Sequence, residues 1–178
     1  MADLTWYCMC ATTFSRETGE LDEVAFRLFL QRIVDAKLGV YLGSAGSGEG
    51  HALTRDELRR VYQIGVEVCK GKVPVHANPP EQHTSRAARE HALIAVEAGV
   101  EVVHMYSLAG WHGMRPTDAE LTAYYDDLLS AIKHPVAFAV NPTMGYTPKP
   151  ALVADICHRY PQIVAVTTTI DMPASVAR

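Results

Sequence analysis

Short apolar runs alternate along the chain with longer amphipathic runs, at a spacing of about 30 residues per pair. The apolar runs predict six β-strands, at Trp6–Ala11, Val40–Gly43, Val73–Ala77, Val100–Tyr106, Pro135–Val140 and Ile163–Thr168. Because these runs contain almost no polar positions, we expect the sheet to be buried on both faces. Such burial is typical of parallel strands that are covered by helices.

The segments between the predicted strands have the periodicity of amphipathic helices. Apolar residues recur at helical spacing within Phe26–Val34 and within Leu121–Ile132. Two helix starts are also marked, because Thr54–Glu57 and Thr117–Glu120 both fit a capping box. The sequence therefore predicts a helix after each of the first five strands.

A short internal repeat supports this alternation. Both Val34–Tyr41 and Val96–Glu101 pass from a helix end through a glycine into a strand. This pattern predicts that Gly39 and Gly99 relieve a left-handed turn at the helix end. The resulting order, a strand and a helix repeated five times and then a sixth strand, allows a doubly wound sheet or a (β/α)-barrel.

Composition and charge narrow the classes of function. The chain has 178 residues, 48% of them hydrophobic, and a net charge of -4. No basic block is present, so nucleic acid is not an expected partner. No apolar run reaches the ~18 residues of a membrane span and no signal-like start is seen, so we expect a cytoplasmic protein without membrane association. The four cysteines lack zinc-binding or disulfide-framework spacing.

A loop rich in glycine and serine follows the second predicted strand, over residues 43–51. In either fold the carboxyl ends of parallel strands carry the site, and backbone amides of such a loop bind anions. The loop lacks the lysine of a Walker motif and the glycine order of a dinucleotide fingerprint. It is therefore interpreted as an anion cradle, with an ordinary mobile loop as the alternative.

The same loop resembles a known family. Gly43–Gly46, with Glu49 and Leu53–Glu57 downstream, is similar to the G-[ST]-T-G-E-x-x-x-L-[ST]-x-x-E signature of the dihydrodipicolinate synthase and N-acetylneuraminate lyase family. Further matches follow in the family's order, at Ala11–Phe14, Gly71–Val75, Ala98–Val100, Arg115–Pro116, Tyr124–Tyr125, Asn141–Pro142 and Pro161–Val166. The likeness covers nearly the whole chain.

The resemblance implies a TIM (β/α)8 barrel and a homo-oligomer, a dimer or tetramer. Family members condense or cleave 2-oxo acids, often pyruvate, through a Schiff base on a lysine of the sixth strand. On this likeness the small carboxylate substrate would contact the side chains and amides of a set of five positions. These positions are Thr12, Gly43, Ser44, Ala45 and Asn141.

Two functional positions of the family are replaced in this chain. The lysine position falls on Thr167, which cannot form an imine, and the tyrosine position falls on Ala139 or Val140. Tyr106 and Tyr146 are the candidates to supply the missing phenol. We therefore predict a lyase of aldolase type that acts without the usual imine and without a cofactor or metal.

Two other functions stay open at this point. One is a non-catalytic homologue that binds small carboxylates or assembles with a partner. The other is metal-assisted cleavage, in which imidazoles and a carboxylate bind a divalent ion that polarises the 2-oxo acid. The residues considered for that ion are Glu49, His51, His76, His104 and His112.

The length also carries an expectation. A (β/α)8 barrel normally needs about 250 residues, whereas six strands and five helices account for all 178 residues here. We therefore expect a single, partial barrel domain over residues 1–178, truncated after the sixth strand. Its open edges would be covered by the rest of a longer chain, by an oligomer partner or by a rearranged sheet.

Overall fold

A computed structural model describes residues 6–110, 113–141 and 146–168. The chain divides into two compact units, here called unit 1 and unit 2. Unit 1 takes the residues up to Pro80 together with Leu93–Val103, and unit 2 takes Glu81–Ala92 and the residues from His104 onward. The expectation of one domain over residues 1–178 stays a prediction.

Strands and helices alternate as the sequence predicts. The strands are β1 (Tyr7–Met9), β2 (Gly39–Leu42), β3 (Val75–Ala77), β4 (Val102–Met105), β5 (Val136–Val140) and β6 (Ile163–Thr168). The helices are α1 (Glu23–Asp35), α2 (Arg55–Cys69), α3 (Ser85–Ala98), α4 (Asp118–Ala131) and α5 (Pro150–Arg159). Most strands are shorter than their apolar runs, so Tyr106 lies just beyond β4 and not within it.

Unit 1 contains a parallel sheet whose strands follow the order of the chain. β1 pairs with β2, β2 with β3, and β3 with the first half of β4. Its helices α1 and α2 are joined by ion pairs, in which Arg60 binds Glu23 through two hydrogen bonds of 2.7 and 2.6 Å and Arg27 binds Glu67. Because all four side chains are partly exposed, these pairs add little to the free energy of folding.

Unit 2 contains the parallel pair of β5 and β6, which is in register from Ala137 opposite Ala165 to Val140 opposite Thr168. Helix α4 buries an apolar face that includes Tyr125, whose ring lies 4.7 Å from that of Phe138 on β5. This contact identifies the helix-covered face of β5. Neighbouring residues in a strand point to opposite faces, so Ala137 and Ala139 lie on the other face.

The predicted burial of the strands is observed for β2 and β5 and not for β1 and β6. Every residue of β2 and β5 is buried, as their unbroken apolar runs predict. In contrast, Trp6 and Met9 beside and within β1 are 78% and 56% exposed, and Val164 and Val166 of β6 are 60% and 41% exposed. In the described parts of their units, β1 is paired only with β2 and β6 only with β5. A strand with one partner is covered by fewer neighbouring residues than a strand with a partner on both sides.

The helix caps agree with prediction except at one glycine. Both capping boxes are present, with the Thr54 and Thr117 side chains accepting hydrogen bonds from the amides three residues later. Gly99 has the expected positive φ of 91°. The prediction for Gly39 is wrong, because the left-handed residue after α1 is Lys37, with a φ of 56°. Gly39 serves close packing instead, as described below.

Candidate functional site

The predicted anion cradle lies in unit 1 and is closed by hydrogen bonds within the loop. The Thr12 hydroxyl donates to the Gly48 carbonyl oxygen over 2.8 Å. The Gly48 amide is 2.9 Å from the Ser44 hydroxyl oxygen, which accepts it, and the Ser44 and Ser47 hydroxyl oxygens are 2.6 Å apart. The structure therefore brings Thr12 and Ser44, both buried, to one point of the loop through Gly48.

The sequence does not reveal how this loop closes. Ser47 and Gly48 are the two residues by which the loop exceeds the family pattern, and both take part in the closure. Gly48 also has to be a glycine, because a Cβ atom there would lie 2.6 Å from the Ser44 amide nitrogen. A loop longer than the pattern is the signal that marks these two residues.

The loop presents a row of backbone donors. In this turn, the Gly48 amide is the first to donate a hydrogen bond back to the Ser44 carbonyl oxygen, over 3.1 Å. Among the described residues, no acceptor is seen for the amides of Ala45, Gly46 and Ser47. Three successive amides at the start of a helical turn form an anion-binding arrangement. The geometry is therefore suited to a carboxylate.

At the carboxyl ends of β5 and β6, in unit 2, lies Thr167, the residue that the family resemblance assigns to the lysine position. It lies directly opposite Ala139, which is buried, so both side chains are on the same face of the sheet. The Thr167 hydroxyl oxygen is 3.4 Å from Nδ1 of His104, which comes from the second half of β4. His104 is only 6% exposed. From the sequence, Thr167 belongs to the hypothesis of a lost imine and His104 to the hypothesis of a metal ion.

The other predicted residues of unit 2 lie beside these strand ends. Tyr106 directly follows β4 and Asn141 directly follows β5, and both are half-buried. Tyr146 is held by its backbone, because its amide donates to the Ser107 hydroxyl over 3.0 Å and its carbonyl accepts from that hydroxyl over 2.6 Å. These are the carboxyl ends of strands, as predicted for site residues.

A second histidine lies in unit 1, toward the amino ends of the strands. The Tyr7 hydroxyl oxygen is 3.0 Å from Nε2 of His76, and the two rings are 4.3 Å apart between centroids. The nearby Glu101 carboxylate accepts a hydrogen bond of 2.7 Å from the Val75 amide. Burial lowers the pKa of His76 to about 4, and the charge of Glu101 opposes this shift. His76 is therefore neutral at pH 7.

The residues considered for a metal ion do not converge. Across residues 6–110, 113–141 and 146–168, no group of three or more histidine, cysteine or acidic side chains has the spacing of a metal site. The His51 ring is hydrogen-bonded to the Ala45 carbonyl oxygen over 2.5 Å, and His76 to Tyr7 over 3.0 Å. His112 lies outside the described residues. This geometry lends the metal-assisted hypothesis no support.

The search for membrane-spanning segments has a simple result. None of the helices in the described part of the chain is both long and apolar enough to cross a bilayer.

Comparison with proteins of known structure identifies the fold. The chain superimposes on the pyruvate complex of YagE, a prophage protein of the dihydrodipicolinic acid synthase family from E. coli K12, with a TM-score of 0.83. The two are 20% identical, and the match covers 96% of this chain and 56% of that one. Dihydrodipicolinate synthase from Aquifex aeolicus also gives a TM-score of 0.83, at 18% identity over 96% of this chain and 56% of that one. At this identity the likeness concerns the fold, and it confirms the predicted α/β barrel class.

Comparison by sequence identifies the family. The 4-hydroxy-tetrahydrodipicolinate synthase of Maridesulfovibrio salexigens is 27% identical over 149 residues, which are 83% of this chain and 50% of that protein. The chain thus spans about half the length of the curated relatives that it matches most extensively. The family model of the dihydrodipicolinate synthetases matches residues 7–177, nearly the whole sequence. The chain therefore belongs to the dihydrodipicolinate synthetase family.

Proposed function

We propose that this protein is a lyase of aldolase type, which breaks or forms a carbon–carbon or carbon–oxygen bond in a 2-oxo acid such as pyruvate without forming an imine. The observation that carries the proposal is the side chain at the lysine position. The resemblance assigns this position to Thr167, on a strand that contains no amine, in a chain that belongs to the family over most of its length. An alcohol does not form the iminium that serves as the electron sink of a Schiff-base aldolase.

The cradle of unit 1 supports the choice of a carboxylate substrate. Thr12, Gly43 and Ser44 are buried, and the amides of the next three residues have no acceptor among the described residues. Backbone amides of this kind stabilise a carboxylate by hydrogen bonds that are stronger than those between neutral groups. Ala45 contributes an amide and no hydroxyl. Asn141 stays a contact that only the family resemblance implies.

The relatives support the choice of a 2-oxo acid. One of the solved structures that this chain resembles was determined in complex with pyruvate. We also propose that the protein works in the cytoplasm as a homo-oligomer, a dimer or tetramer, and that residues 1–178 form a single domain of barrel type. Sedimentation of the protein at several concentrations tests the oligomer, since a monomer at every concentration would contradict it.

Two measurements on the same sample test the proposed activity. Borohydride reduction in the presence of pyruvate should leave the intact mass unchanged, because no imine forms. Proton NMR in deuterium oxide should show the pyruvate methyl signal decreasing faster with protein than without. This exchange is expected because lyases of this class pass through the enolate, whose carbon takes up solvent deuterium. A stable adduct on any lysine, or exchange no faster than in buffer, would contradict the proposal.

A non-catalytic carboxylate-binding protein is the second candidate, and a specific observation favours it. As the resemblance assigns them, both positions that carry the family's reaction hold side chains that cannot perform it, Thr167 for the lysine and Ala139 or Val140 for the tyrosine. Calorimetric titration with pyruvate separates the two candidates. Binding without any deuterium exchange would support this second function over the lyase.

A further inference from the structure

We propose that Thr167 and His104 together recognise the 2-oxo group of the ligand without a covalent bond. In this arrangement the Thr167 hydroxyl donates a hydrogen bond to the carbonyl oxygen, and His104 orients that hydroxyl. The inference rests on the proposed function. A lysine at this position would hold the 2-oxo group and form an imine with it, whereas the Thr167 hydroxyl can hold the group by a hydrogen bond only.

The first support is the placement of the pair. The Thr167 hydroxyl oxygen and Nδ1 of His104 are 3.4 Å apart, near the limit of a hydrogen bond, and His104 is almost completely buried. A buried imidazole requires polar neighbours, because an unpaired ring nitrogen costs free energy. Thr167 supplies one such neighbour at the carboxyl ends of the strands, where ligands bind in barrel folds.

The second support is the small side chain opposite Thr167. Thr167 lies directly opposite Ala139, whose side chain is a single methyl group. The larger phenol that the family resemblance implies near this position is absent. Thr167 itself is only half-buried, so a small ligand group can approach its side chain.

The chemistry of the pair determines which tautomer the proposal requires. A threonine hydroxyl has one hydrogen to donate and two lone pairs that accept. If Nδ1 carries the imidazole proton, it donates to the Thr167 oxygen and leaves the hydroxyl hydrogen for the ligand. If Nδ1 is unprotonated, the hydroxyl donates to it and has no hydrogen left. The inference therefore includes the tautomer with the proton on Nδ1.

This arrangement predicts a preference among carboxylates. A hydrogen bond from Thr167 polarises the carbonyl of pyruvate and has no counterpart in propionate, which keeps the carboxylate and lacks the 2-oxo group. A donor left without its acceptor in a buried site lowers affinity. The protein should therefore bind pyruvate more tightly than propionate, by about tenfold.

The experiment measures the affinities of pyruvate and propionate by calorimetry for the wild type and matched variants. Thr167→Val keeps the shape of the side chain and removes the hydroxyl, so it should weaken pyruvate binding about tenfold and leave propionate binding unchanged. Thr167→Ser should retain the preference. Thr168→Val is the control, because Thr168 is the next residue of β6 and lies on the opposite face.

Two variants of His104 test its positioning role. His104→Asn keeps a side-chain N–H near the place of Nδ1 and should largely retain the preference for pyruvate. His104→Leu removes the donor and should abolish it, with thermal melts confirming that the variant is folded. Equal loss in both variants, with both folded, would contradict an orienting hydrogen bond from His104.

The possible results separate this inference from the proposed function. If Thr167→Val binds pyruvate as the wild type does, or loses pyruvate and propionate equally, the inference is wrong and the lyase proposal is unaffected. If the wild type prefers pyruvate and Thr167 is required, but no deuterium exchange occurs, the inference holds and the lyase proposal fails. A wild type that binds no pyruvate overturns both.

Discussion

Two histidines of this protein are each hydrogen-bonded to a hydroxyl group on another strand, in different settings. In unit 1, Nε2 of His76 on β3 is 3.0 Å from the Tyr7 hydroxyl on β1. In unit 2, Nδ1 of His104 on β4 is 3.4 Å from the Thr167 hydroxyl on β6. In both pairs the side chains belong to strands that are not consecutive in the chain.

A small residue accompanies each pair. Gly39 on β2 lies opposite Tyr7, and a Cβ atom at Gly39 would be 2.5 Å from the tyrosine ring, so the ring lies directly over the glycine. Ala139 on β5 lies opposite Thr167 and has only a methyl group as its side chain. In unit 1 the missing side chain of Gly39 therefore allows the contact, and in unit 2 the strand between the two partners also carries a small residue.

The difference between the pairs is their place along the strands. The cavity beside His76 is lined by Gly71–Pro74, the connection that leads into β3, and by Glu101 before β4, so this pair faces the amino ends. His104 and Thr167 lie toward the carboxyl ends, where active sites of barrel enzymes are found. A hydrogen-bonded histidine–hydroxyl pair therefore does not by itself indicate a ligand-binding site. It indicates one only when it lies at the carboxyl ends of the strands.

The largest effect is expected from returning the lysine to the sixth strand. Thr167→Lys places an amine at the carboxyl end of β6, beside the imidazole of His104. If this end of the strands binds a 2-oxo acid, pyruvate and borohydride should give a stable mass adduct in the variant and none in the wild type. Intact-mass spectrometry with peptide mapping measures the result.

The matched control for this change lies one residue further along the strand. Thr168→Lys places the same amine on the opposite face of β6, at an exposed position, where no adduct should form. Adducts of equal yield in both variants would mean that the lysines react as ordinary surface amines. That result would contradict the assignment of a ligand-binding site to the carboxyl ends of the strands.

A smaller effect is expected from filling the space under Tyr7. Gly39→Ala forces the Tyr7 ring away from its position and breaks its contact with His76, so we expect a loss of about 2 kcal/mol in the free energy of unfolding. Urea denaturation measures this loss. The preference for pyruvate should not change, because the pair in unit 1 is assigned a structural role.

Gly46→Ala is the control, because no atom lies within 4 Å of a Cβ atom added there. Its effect on stability should stay below about 0.5 kcal/mol. If Gly39→Ala abolished the preference for pyruvate in a folded protein, the division between a structural pair and a ligand-binding pair would be wrong.

The smallest effect concerns the pH dependence of stability. Burial lowers the pKa of His76 to about 4 from its usual 6.5, so between these values the unfolded chain binds more protons than the folded one. The contribution of His76 is therefore complete above pH 6.5 and is lost as the pH falls toward 4. Because the ring is partly exposed, we expect a loss of about 1 kcal/mol.

Comparison of wild type with His76→Gln isolates this contribution. The variant should show a flatter dependence of the unfolding free energy between pH 6.5 and 4, measured by urea denaturation at each pH. An identical pH dependence in both proteins would show that other groups account for the acid sensitivity.

Much of the fold could be predicted because it depends on local patterns. The apolar runs located all six strands, and the Thr54 and Thr117 capping boxes located two helix starts to the residue. Strand ends were less certain, because they depend on which residues find pairing partners. The expected role of Gly39 was wrong for a related reason, since a glycine before a strand suits a left-handed turn and also suits a close approach by another side chain.

The candidate site could be predicted only in part. The Gly/Ser loop and the threonine at the lysine position are visible in the sequence, the first by composition and the second by likeness to the family. The closure of the loop through Gly48 depends on Thr12, 36 residues away. No pattern within a segment indicates such a contact.

The sequence by itself determined the alternation of strands and helices and the membership of the family, and it predicts the loss of the imine-forming amine. These follow from hydrophobic periodicity, from the order of motifs and from the identity of one residue. The tertiary structure alone decided that the imidazole of His104 lies within hydrogen-bond distance of Thr167, 63 positions away in the chain. The physical reason is that strand order and register place distant side chains together, and those follow from packing of the whole sheet.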